Sequence, residues 1–254
     1  ILSPLGGSTM DCPLRVIGAA GVVCIALPVS AQVYDFNTLV NGEIITNQYE
    51  PALTITGTNP NRAFDIIAGF DTQFLGSTAD PDLQGPPWSG GNLAVSNDAV
   101  AIGTALIIAQ NNRDNNNDGI LDAPNDEGSR PAGTIDLSFA APVSHFGFDV
   151  VDIDGVVQEG SSLDFYLGGN LLGSLDFMVF TDNFSAYYDP TVVFGDHHAN
   201  RTQPIAASDF NAIGFDRIVI NVGGSSAFDT FVVPAPATGV LALAGTVLLI
   251  RKRH

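Results

Sequence analysis

The chain of 254 residues is strongly acidic, with 27 Asp and Glu residues against nine Lys and Arg and a formal net charge of −18. Such a surface repels nucleic acids and anionic lipid headgroups, so nucleic-acid binding is excluded. Both cysteines, Cys12 and Cys24, lie near the N-terminus, which excludes disulfides, thiolate metal sites and a cysteine nucleophile from the rest of the chain. Carboxylates are ligands for divalent cations, although the solubility of a secreted protein explains the acidity equally well.

The N-terminal residues 1–31 have the features of upstream sequence followed by a cleavable signal peptide. Met10 is a plausible start, Arg15 is the only basic residue before an apolar run, and Val29-Ser30-Ala31 offers the small residues that a signal peptidase reads. We therefore expect cleavage before Gln32, export of the protein, and a mature domain over residues 32–233.

Between residues 32 and 233, short β-favouring runs alternate with clusters of Gly, Pro, Asn and Asp. Ile135, Leu137 and Phe139 share one face of the clearest strand, and Gly168-Gly169 predicts a two-residue hairpin turn. The predicted strands are, in chain order, 32–36, 52–56, 64–70, 93–95, 105–108, 133–139, 145–152, 162–167, 170–177, 186–193, 217–222 and 228–232. This pattern predicts an all-β fold, an antiparallel two-sheet β-sandwich with jelly-roll-like connections and a core filled by phenylalanine.

The acidic loop at residues 114–127 carries the clearest metal-binding pattern. Counted from its first Asp, oxygen-bearing side chains fall at positions 1, 3, 5 and 9, with Gly at 6 and a backbone carbonyl at 7, as in the front of an EF-hand-type calcium loop. The predicted calcium ligands are Asp114, Asn116, Asp118, Ile120, Asp122 and Asp126. Position 12, where an EF-hand loop has glutamate, is Asn125 here, and Asp126 or Glu127 directly after it would substitute for that glutamate. The alternative is a solvated turn in which Asn and Asp hydrogen-bond locally without an ion.

The C-terminal segment 234–254 combines Pro234-Ala235-Pro236, an uncharged apolar run and the basic cluster Arg251-Lys252-Arg253. The run of about fourteen residues is shorter than the roughly 20 that span a bilayer, and the basic end suits the cytoplasmic face. This arrangement resembles the PEP-CTERM sorting signal of exported bacterial surface proteins, except that Ala235 replaces the family's glutamate. The resemblance implies a short apolar C-terminal helix, recognition by an exosortase, and a transient or permanent membrane anchor.

The mature domain resembles a domain that recurs in the same exported proteins. The resemblance rests on the order of several short motifs: Gly42-Glu43-Ile44, Phe70-Asp71-Thr72, Asp80-Pro81-Asp82-Leu83, Leu106-Ile107-Ile108, Asp118-Gly119-Ile120 and Phe146-Gly147-Phe148-Asp149. It implies an extracellular β-sandwich without catalytic activity, located at the surface or in the exopolysaccharide matrix of a Gram-negative-type bacterium.

A second cation site is expected where the first strands meet the last. The expectation comes from a fold-level resemblance to jelly-roll carbohydrate-binding modules, which often hold calcium there. The candidate ligands are Glu43 and Asp229, with Asp35 as a possible third. The alternative is that Asp229 faces solvent on an edge strand.

Three aromatic residues are candidates for binding a sugar, because exposed rings serve as stacking platforms. They are Trp88, in a Pro- and Gly-rich loop, and the neighbouring Tyr187 and Tyr188. The alternative for Trp88 is that it pins its long loop to the sandwich.

The sequence shows no convergent catalytic set and neither a Gly-x-Ser-x-Gly nor a P-loop pattern. His197 and His198 lie beside Asp196, but adjacent side chains on an extended chain point apart. We therefore expect a non-enzymatic protein. The favoured function is a calcium-stabilised surface or matrix protein, and the alternative is a calcium-dependent carbohydrate-binding module.

Overall fold

Two antiparallel sheets contain the strands that the computed structural model describes over residues 31–74, 80–94 and 100–234. The strands are β1 Ala31–Tyr34, β2 Leu53–Thr58, β3 Ile67–Asp71, β4 Thr104–Ile108, β5 Gly133–Val143, β6 His145–Val151, β7 Ser162–Leu167, β8 Asn170–Asp176, β9 Ala199–Arg201, β10 Ile205–Ala206, β11 Phe215–Val222 and β12 Ala227–Pro234. The short helix α1 spans Val156–Glu159, and 3-10 turns lie at Pro81–Leu83, Phe177–Phe180 and Ala207–Phe210. The prediction of a mostly β chain with two antiparallel sheets is confirmed.

The five-stranded sheet has the order β2-β5-β11-β7-β8, and the seven-stranded sheet has the order β10-β6-β12-β4-β3 with β9 on β6 and β1 on β12. Strand β12 pairs with β6 along one edge. On its other edge Phe228 lies opposite Leu106 of β4, whereas Phe231 lies opposite Tyr34 of β1. A bulge between Asp229 and Val232 separates the two halves.

The main core lies between the inner faces of the two sheets and is built largely from phenylalanine. Nine of its Phe side chains are fully buried. Phe148 lies at their centre, with its ring centroid 5.4 Å from that of Phe177, 5.9 Å from that of Phe180 and 6.0 Å from that of Phe228. In β5 the side chains alternate between buried and more exposed positions over residues 133–139, because successive side chains of a strand point to opposite faces.

A second apolar cluster covers the outer face of the seven-stranded sheet. It joins sheet residues to residues of the long connections, and we call it the outer cluster: Ala68, Phe70, Leu83, Trp88, Leu93, Ile102, Ala105, Ile107, Ala109, Leu121, Val151, Ala199 and Ala227. The seven-stranded sheet is therefore buried on both faces at these positions. No corresponding apolar cluster is found on the outer face of the five-stranded sheet among the described residues.

The predicted strands at 93–95 and 186–193 are wrong for the residues that the structure describes there. Leu93 and Ala94 lie in a turn, and 186–193 forms irregular turns. In the second segment the Asp189 side chain accepts the N–H of Thr191 at 2.8 Å, so a local hydrogen bond replaces a strand ladder. Strands β9 and β10 were not predicted, since two or three residues carry no readable alternation.

The predicted signal peptide and most of the sorting segment lie outside the described residues. Residues 1–30, Ala235, Pro236 and the basic cluster Arg251, Lys252 and Arg253 belong to this group. Pro234 is the last residue of β12 and pairs with Ala31 of β1. Within the described ranges, none of the helices has the length and apolar character needed to cross a membrane.

Candidate metal centre

Three carboxylates converge at one end of the seven-stranded sheet, and we call them the acidic cluster: Asp152, Asp154 and Asp196. Each contributes an oxygen atom, and these three atoms lie within 4.8 Å of one another. Asp152 and Asp154 directly follow β6, and Asp196 lies shortly before β9. Because β9 pairs with the end of β6, with Ala199 opposite Val151, the pairing of these strands brings the three side chains together.

Asp152 is the buried member of the cluster, with 3% of its surface exposed. Its backbone adopts a left-handed conformation, with φ of 66°, which Asp tolerates better than most residues. The N–H of His197 donates to Oδ1 at 2.7 Å, and the Ser225 hydroxyl lies 2.8 Å from Oδ2. Burial raises the pKa of Asp152 to about 6 despite these hydrogen bonds.

A second pair of carboxyls, Asp80 and Asp126, lies behind Asp152 and is also buried. The Ser225 hydroxyl contacts Asp126 Oδ2 at 2.8 Å as well as Asp152, and the N–H of Ser226 donates to the same Asp126 oxygen at 2.6 Å. Burial raises the pKa of Asp126 well above its usual range, and its hydrogen bond with Asp80 raises it further. One hydroxyl proton cannot serve two ionised carboxylates, so this group requires an additional proton or a cation.

Arg130 is the arginine that contacts the acidic cluster. Its Nη2 lies 3.4 Å from Asp154 Oδ2 and 3.2 Å from Glu159 Oε1. The Glu159 side chain is fully buried, and its Oε2 has no hydrogen-bond partner among the described residues. Burial raises the pKa of Glu159 to about 7, with Arg130 opposing this and Asp154 and Asp152 adding to it. A single guanidinium therefore faces an excess of carboxylates.

His197 attaches the 84–89 loop to the acidic cluster. Its Nε2 lies 2.6 Å from the Gln84 carbonyl oxygen and its Nδ1 lies 2.9 Å from Ser89 Oγ. The Trp88 ring packs 5.5 Å from the His197 ring, and its indole N–H donates to the Val100 carbonyl at 3.0 Å. Trp88 is buried, with 7% of its surface exposed, so its ring packs into the outer cluster and little of it is accessible to a ligand.

The predicted calcium loop forms a network of local hydrogen bonds. Asp114 accepts the N–H groups of Asp118 and Gly119 at 3.2 and 3.0 Å, and Asp118 accepts the N–H of Ile120 at 3.0 Å. Asp122 accepts the N–H of Asn115 at 3.1 Å. Within the described ranges, the carboxylates of this loop do not form a group of three within 4.8 Å, so calcium binding there stays a prediction.

Two of the predicted loop ligands have other partners. Asn116 donates from Nδ2 to Asp118 at 2.9 Å, within the loop. Asp126 bonds Ser225 and Ser226 and thereby joins the buried carboxyls behind Asp152. The structure thus assigns Asp126 to the surroundings of the acidic cluster.

The predicted second cation site is not assembled as a ligand group. The Glu43 carboxylate accepts the N–H of Val40 at 3.1 Å and the side-chain amide of Gln48 at 3.0 Å. Asp229 is 1% exposed and lies opposite Asp149 of β6, so it does not face solvent on an edge strand. No group of three acidic side chains within 4.8 Å includes Glu43, Asp35 or Asp229 in the part of the chain that the structure describes.

Asp229 nevertheless has an unusual environment. Its Oδ1 is buried and has no hydrogen-bond partner among the described residues, while its Oδ2 accepts the Thr230 hydroxyl at 2.9 Å. Burial raises the pKa of Asp229 to about 8, and the nearby charges of Asp149 and Asp35 contribute.

The two tyrosine candidates differ in their surroundings. The Tyr187 hydroxyl donates to Asp209 at 2.8 Å, and its ring packs partly against the main core. Tyr188 is more exposed, at 36% of its surface. The structure brings neither of them together with Trp88 in a described cavity.

Sequence reasoning missed Asp152 and Asp154 as candidate ligands and treated Asp196 only as a neighbour of two histidines. A usable signal exists, since the run Asp152-Ile153-Asp154-Gly155 directly follows a strongly apolar strand. Its partner Asp196 is distant in the sequence and is brought near only by the short strand β9. Comparisons with family models, with curated proteins and with solved structures found no match for this chain.

Proposed function

We propose that the chain is a non-enzymatic exported surface or matrix protein whose β-sandwich is stabilised by a calcium ion at the acidic cluster. The observation that carries the proposal is the convergence of Asp152, Asp154 and Asp196 within 4.8 Å. Three carboxylates at this distance repel one another unless a proton or cation lies between them. A bound divalent cation would remove that repulsion in the folded state alone, and would therefore stabilise the fold.

The surroundings of the cluster support a cation. Glu159 is buried beside Asp154 with an unpartnered oxygen, and Asp126 is buried behind Asp152. Arg130 is shared between Asp154 and Glu159 and supplies one positive charge. Buried charges require compensation, and a divalent ion supplies it for several carboxylates at once.

Calcium fits this set of ligands better than magnesium or zinc. All candidate ligands are carboxylate oxygens, which suit hard cations, and the chain offers no thiolate beyond residue 31. Asp154 and Asp196 are exposed, which leaves room for water ligands and for the irregular geometry that calcium accepts.

The proposed location rests on the two ends of the sequence. Residues 1–31 read as a signal peptide, and 234–254 resemble a PEP-CTERM signal that an exosortase processes. The proposal also includes three expectations from the sequence. The sandwich has jelly-roll-like connections, the C-terminal segment forms a short helix, and exopolysaccharide is a partner. A bound metal ion would increase the stability of an exported domain that has no disulfides, because the ion links distant parts of the folded chain as a disulfide does.

Calcium is expected to raise the melting temperature of the protein by about 5–10 °C. Calcium at about 100 times its dissociation constant stabilises by about 2.7 kcal/mol, and each kcal/mol shifts Tm by about 2–4 °C in a domain of this size. Scanning calorimetry in calcium and in EDTA measures the shift. The Asp154→Asn/Asp196→Asn double variant should lose it, because these exposed ligands contribute to the ion site.

The matched control is the Asp114→Ala/Asp118→Ala double variant in the predicted calcium loop. It should retain the shift if the acidic cluster is the principal site. Loss of the shift in this variant alone would assign calcium to the loop. Equal melting temperatures of the wild-type protein in calcium and in EDTA would refute calcium stabilisation.

A further inference from the structure

The two sheets differ in what covers their outer faces. The seven-stranded sheet is covered by the outer cluster, in which Trp88, Leu83 and other loop residues pack on sheet residues. The outer face of the five-stranded sheet carries mainly short polar side chains. We call this surface the polar face: Thr54, Thr56, Thr58, Thr134, Asp136, Ser138, Ser162, Asp164, Tyr166, Leu171, Ser174, Asp176, Arg217, Val219 and Asn221.

The strand register arranges these side chains in three rows that cross the sheet. The first row contains Thr54, Ser138, Arg217, Tyr166 and Leu171, the second contains Thr56, Asp136, Val219, Asp164 and Ser174, and the third contains Thr58, Thr134, Asn221, Ser162 and Asp176. With strands about 4.8 Å apart, five strands span about 19 Å between the outermost ones. The polar face is therefore long enough to lie along several units of an extended chain.

The strongest hydrogen-bond donor of the polar face is held in one position. The Arg217 guanidinium pairs with Asp136 and lies 4.8 Å from the centroid of the Tyr166 ring. Its side chain is still 44% exposed. A guanidinium has five N–H donors, and the pair with Asp136 leaves several of them for a ligand. A side chain that is already fixed loses less entropy when a ligand binds.

A cavity of about 220 Å³ lies at the end of the polar face that carries the third row. Thr58, Thr134 and Asn221 belong both to that row and to the lining of the cavity, which also includes Glu159, two prolines, Val222 and three glycines. Asn221 is oriented by hydrogen bonds to Ser162 Oγ at 3.1 Å and Asp164 Oδ2 at 3.0 Å. The polar face thus continues into a recess that presents hydroxyl, amide and carboxylate groups beside proline, valine and glycine residues.

The chemistry of the polar face favours one kind of ligand. Hydroxyl side chains both donate and accept hydrogen bonds, as sugar hydroxyls do. The domain over 32–233 carries 26 acidic residues and five arginines, so a polyanion would be repelled. An exposed apolar centre favours a protein partner, whereas Val219 at the middle of the rows is only 7% exposed and the exposed Leu171 lies on the edge strand β8.

We propose that the polar face binds a neutral polysaccharide, and that one sugar unit of the chain enters the cavity beside Thr134 and Asn221. This inference specifies a site for the proposed polysaccharide partner and in that respect rests on the proposed function, but it does not depend on the calcium site. It places carbohydrate recognition on the five-stranded sheet and away from Trp88, Tyr187 and Tyr188.

Affinity gel electrophoresis of the full-length protein tests the proposal, with the neutral polymers dextran, hydroxyethyl cellulose and galactomannan and the anionic polymer alginate in separate gels. The expected result is retardation by at least one neutral polymer and none by alginate. Arg217→Gln removes the fixed donor, and Thr134→Trp fills the mouth of the cavity. Each should weaken binding by about tenfold, equivalent to about 1.4 kcal/mol. Arg113→Gln, an exposed arginine outside the polar face, is the matched control.

Three outcomes would overturn the proposal: no retardation by any neutral polymer, retardation by alginate alone, or undiminished binding in both polar-face variants. Melting temperatures of the two variants show that a loss of binding does not reflect unfolding. Gels run with EDTA separate the two proposals. If the protein is retarded in EDTA and its melting temperature does not depend on calcium, the polysaccharide proposal is supported and only the calcium site is refuted.

Discussion

The Asp229→Asn variant is expected to be more stable than the wild-type protein at alkaline pH, by an amount that shrinks towards acidic pH. The pKa of Asp229 is raised to about 8 in the folded protein, chiefly by burial, whereas an unfolded Asp titrates near pH 3.9. Below about pH 4 both states hold the proton, and the stability contributed by the protonated group is fully present. As the pH rises towards about 8, the unfolded state releases the proton first, so the free energy of unfolding falls by about 1.4 kcal/mol per pH unit.

The total loss is on the order of 5 kcal/mol and is complete above about pH 8. The amide of the Asn variant stays neutral at every pH, so the variant does not undergo this loss of stability. Denaturant unfolding in calcium-free buffer at about pH 5.5 and about pH 8.5 should show the difference between the two proteins grow by about 3–4 kcal/mol. Asp182→Asn, at an exposed turn position, is the matched control and should follow the wild-type profile. Parallel profiles for Asp229→Asn and wild type would contradict the prediction.

Replacing Arg201 by Gln is expected to destabilise the protein by about 3–5 kcal/mol, because it leaves a buried carboxylate without its cation. Arg201 donates from Nε and Nη2 to the two oxygens of Asp149 at 2.8 and 2.7 Å, and the Asp149 side chain is only 2% exposed. Asp149 also lies opposite Asp229 in the strand register. Without Arg201, these two buried carboxyls would face each other with no compensating charge.

The same substitution at Arg217 provides the comparison, because its partner Asp136 is 20% exposed. That change should cost less than about 1 kcal/mol, as is usual for accessible ion pairs. Denaturant unfolding at neutral pH measures both variants. The Arg201→Gln/Asp149→Asn double variant should recover part of the loss, since an amide needs no cation. Equal costs for the two arginines would refute the dependence of the buried Asp149 carboxylate on Arg201, whose own side chain is 51% exposed.

Local patterns in the sequence predicted the parts of the fold that depend on neighbouring residues. The alternation around Leu137 identified β5, since side chains of a strand alternate with period two. Gly168 and Gly169 adopt φ of 60° and 78°, the left-handed values that a two-residue turn between antiparallel strands needs. Both features involve residues within one strand or one turn.

Features that depend on distant residues could not be predicted in this way. The burial of Trp88 requires the packing of a long loop on the outer face of a sheet, and the position of Asp229 requires β12 to lie between β6 and β4. The acidic cluster depends on β9, whose three residues show no alternation. The carboxylates of the 114–122 loop form a clear local motif. The convergence of Asp152 with Asp196 cannot be read from the residues around either one, because the two are far apart in the sequence.

The position of β12 determines how far the candidate ion site would stand from an attachment point. Ser225 and Ser226, which contact Asp126, directly precede this strand, and Pro234 ends it eight residues after Ser226. At about 3.3 Å per residue, the strand separates its two ends by roughly 25 Å. The acidic cluster therefore lies near the end of β12 that is remote from Pro234, the last described residue before the C-terminal segment.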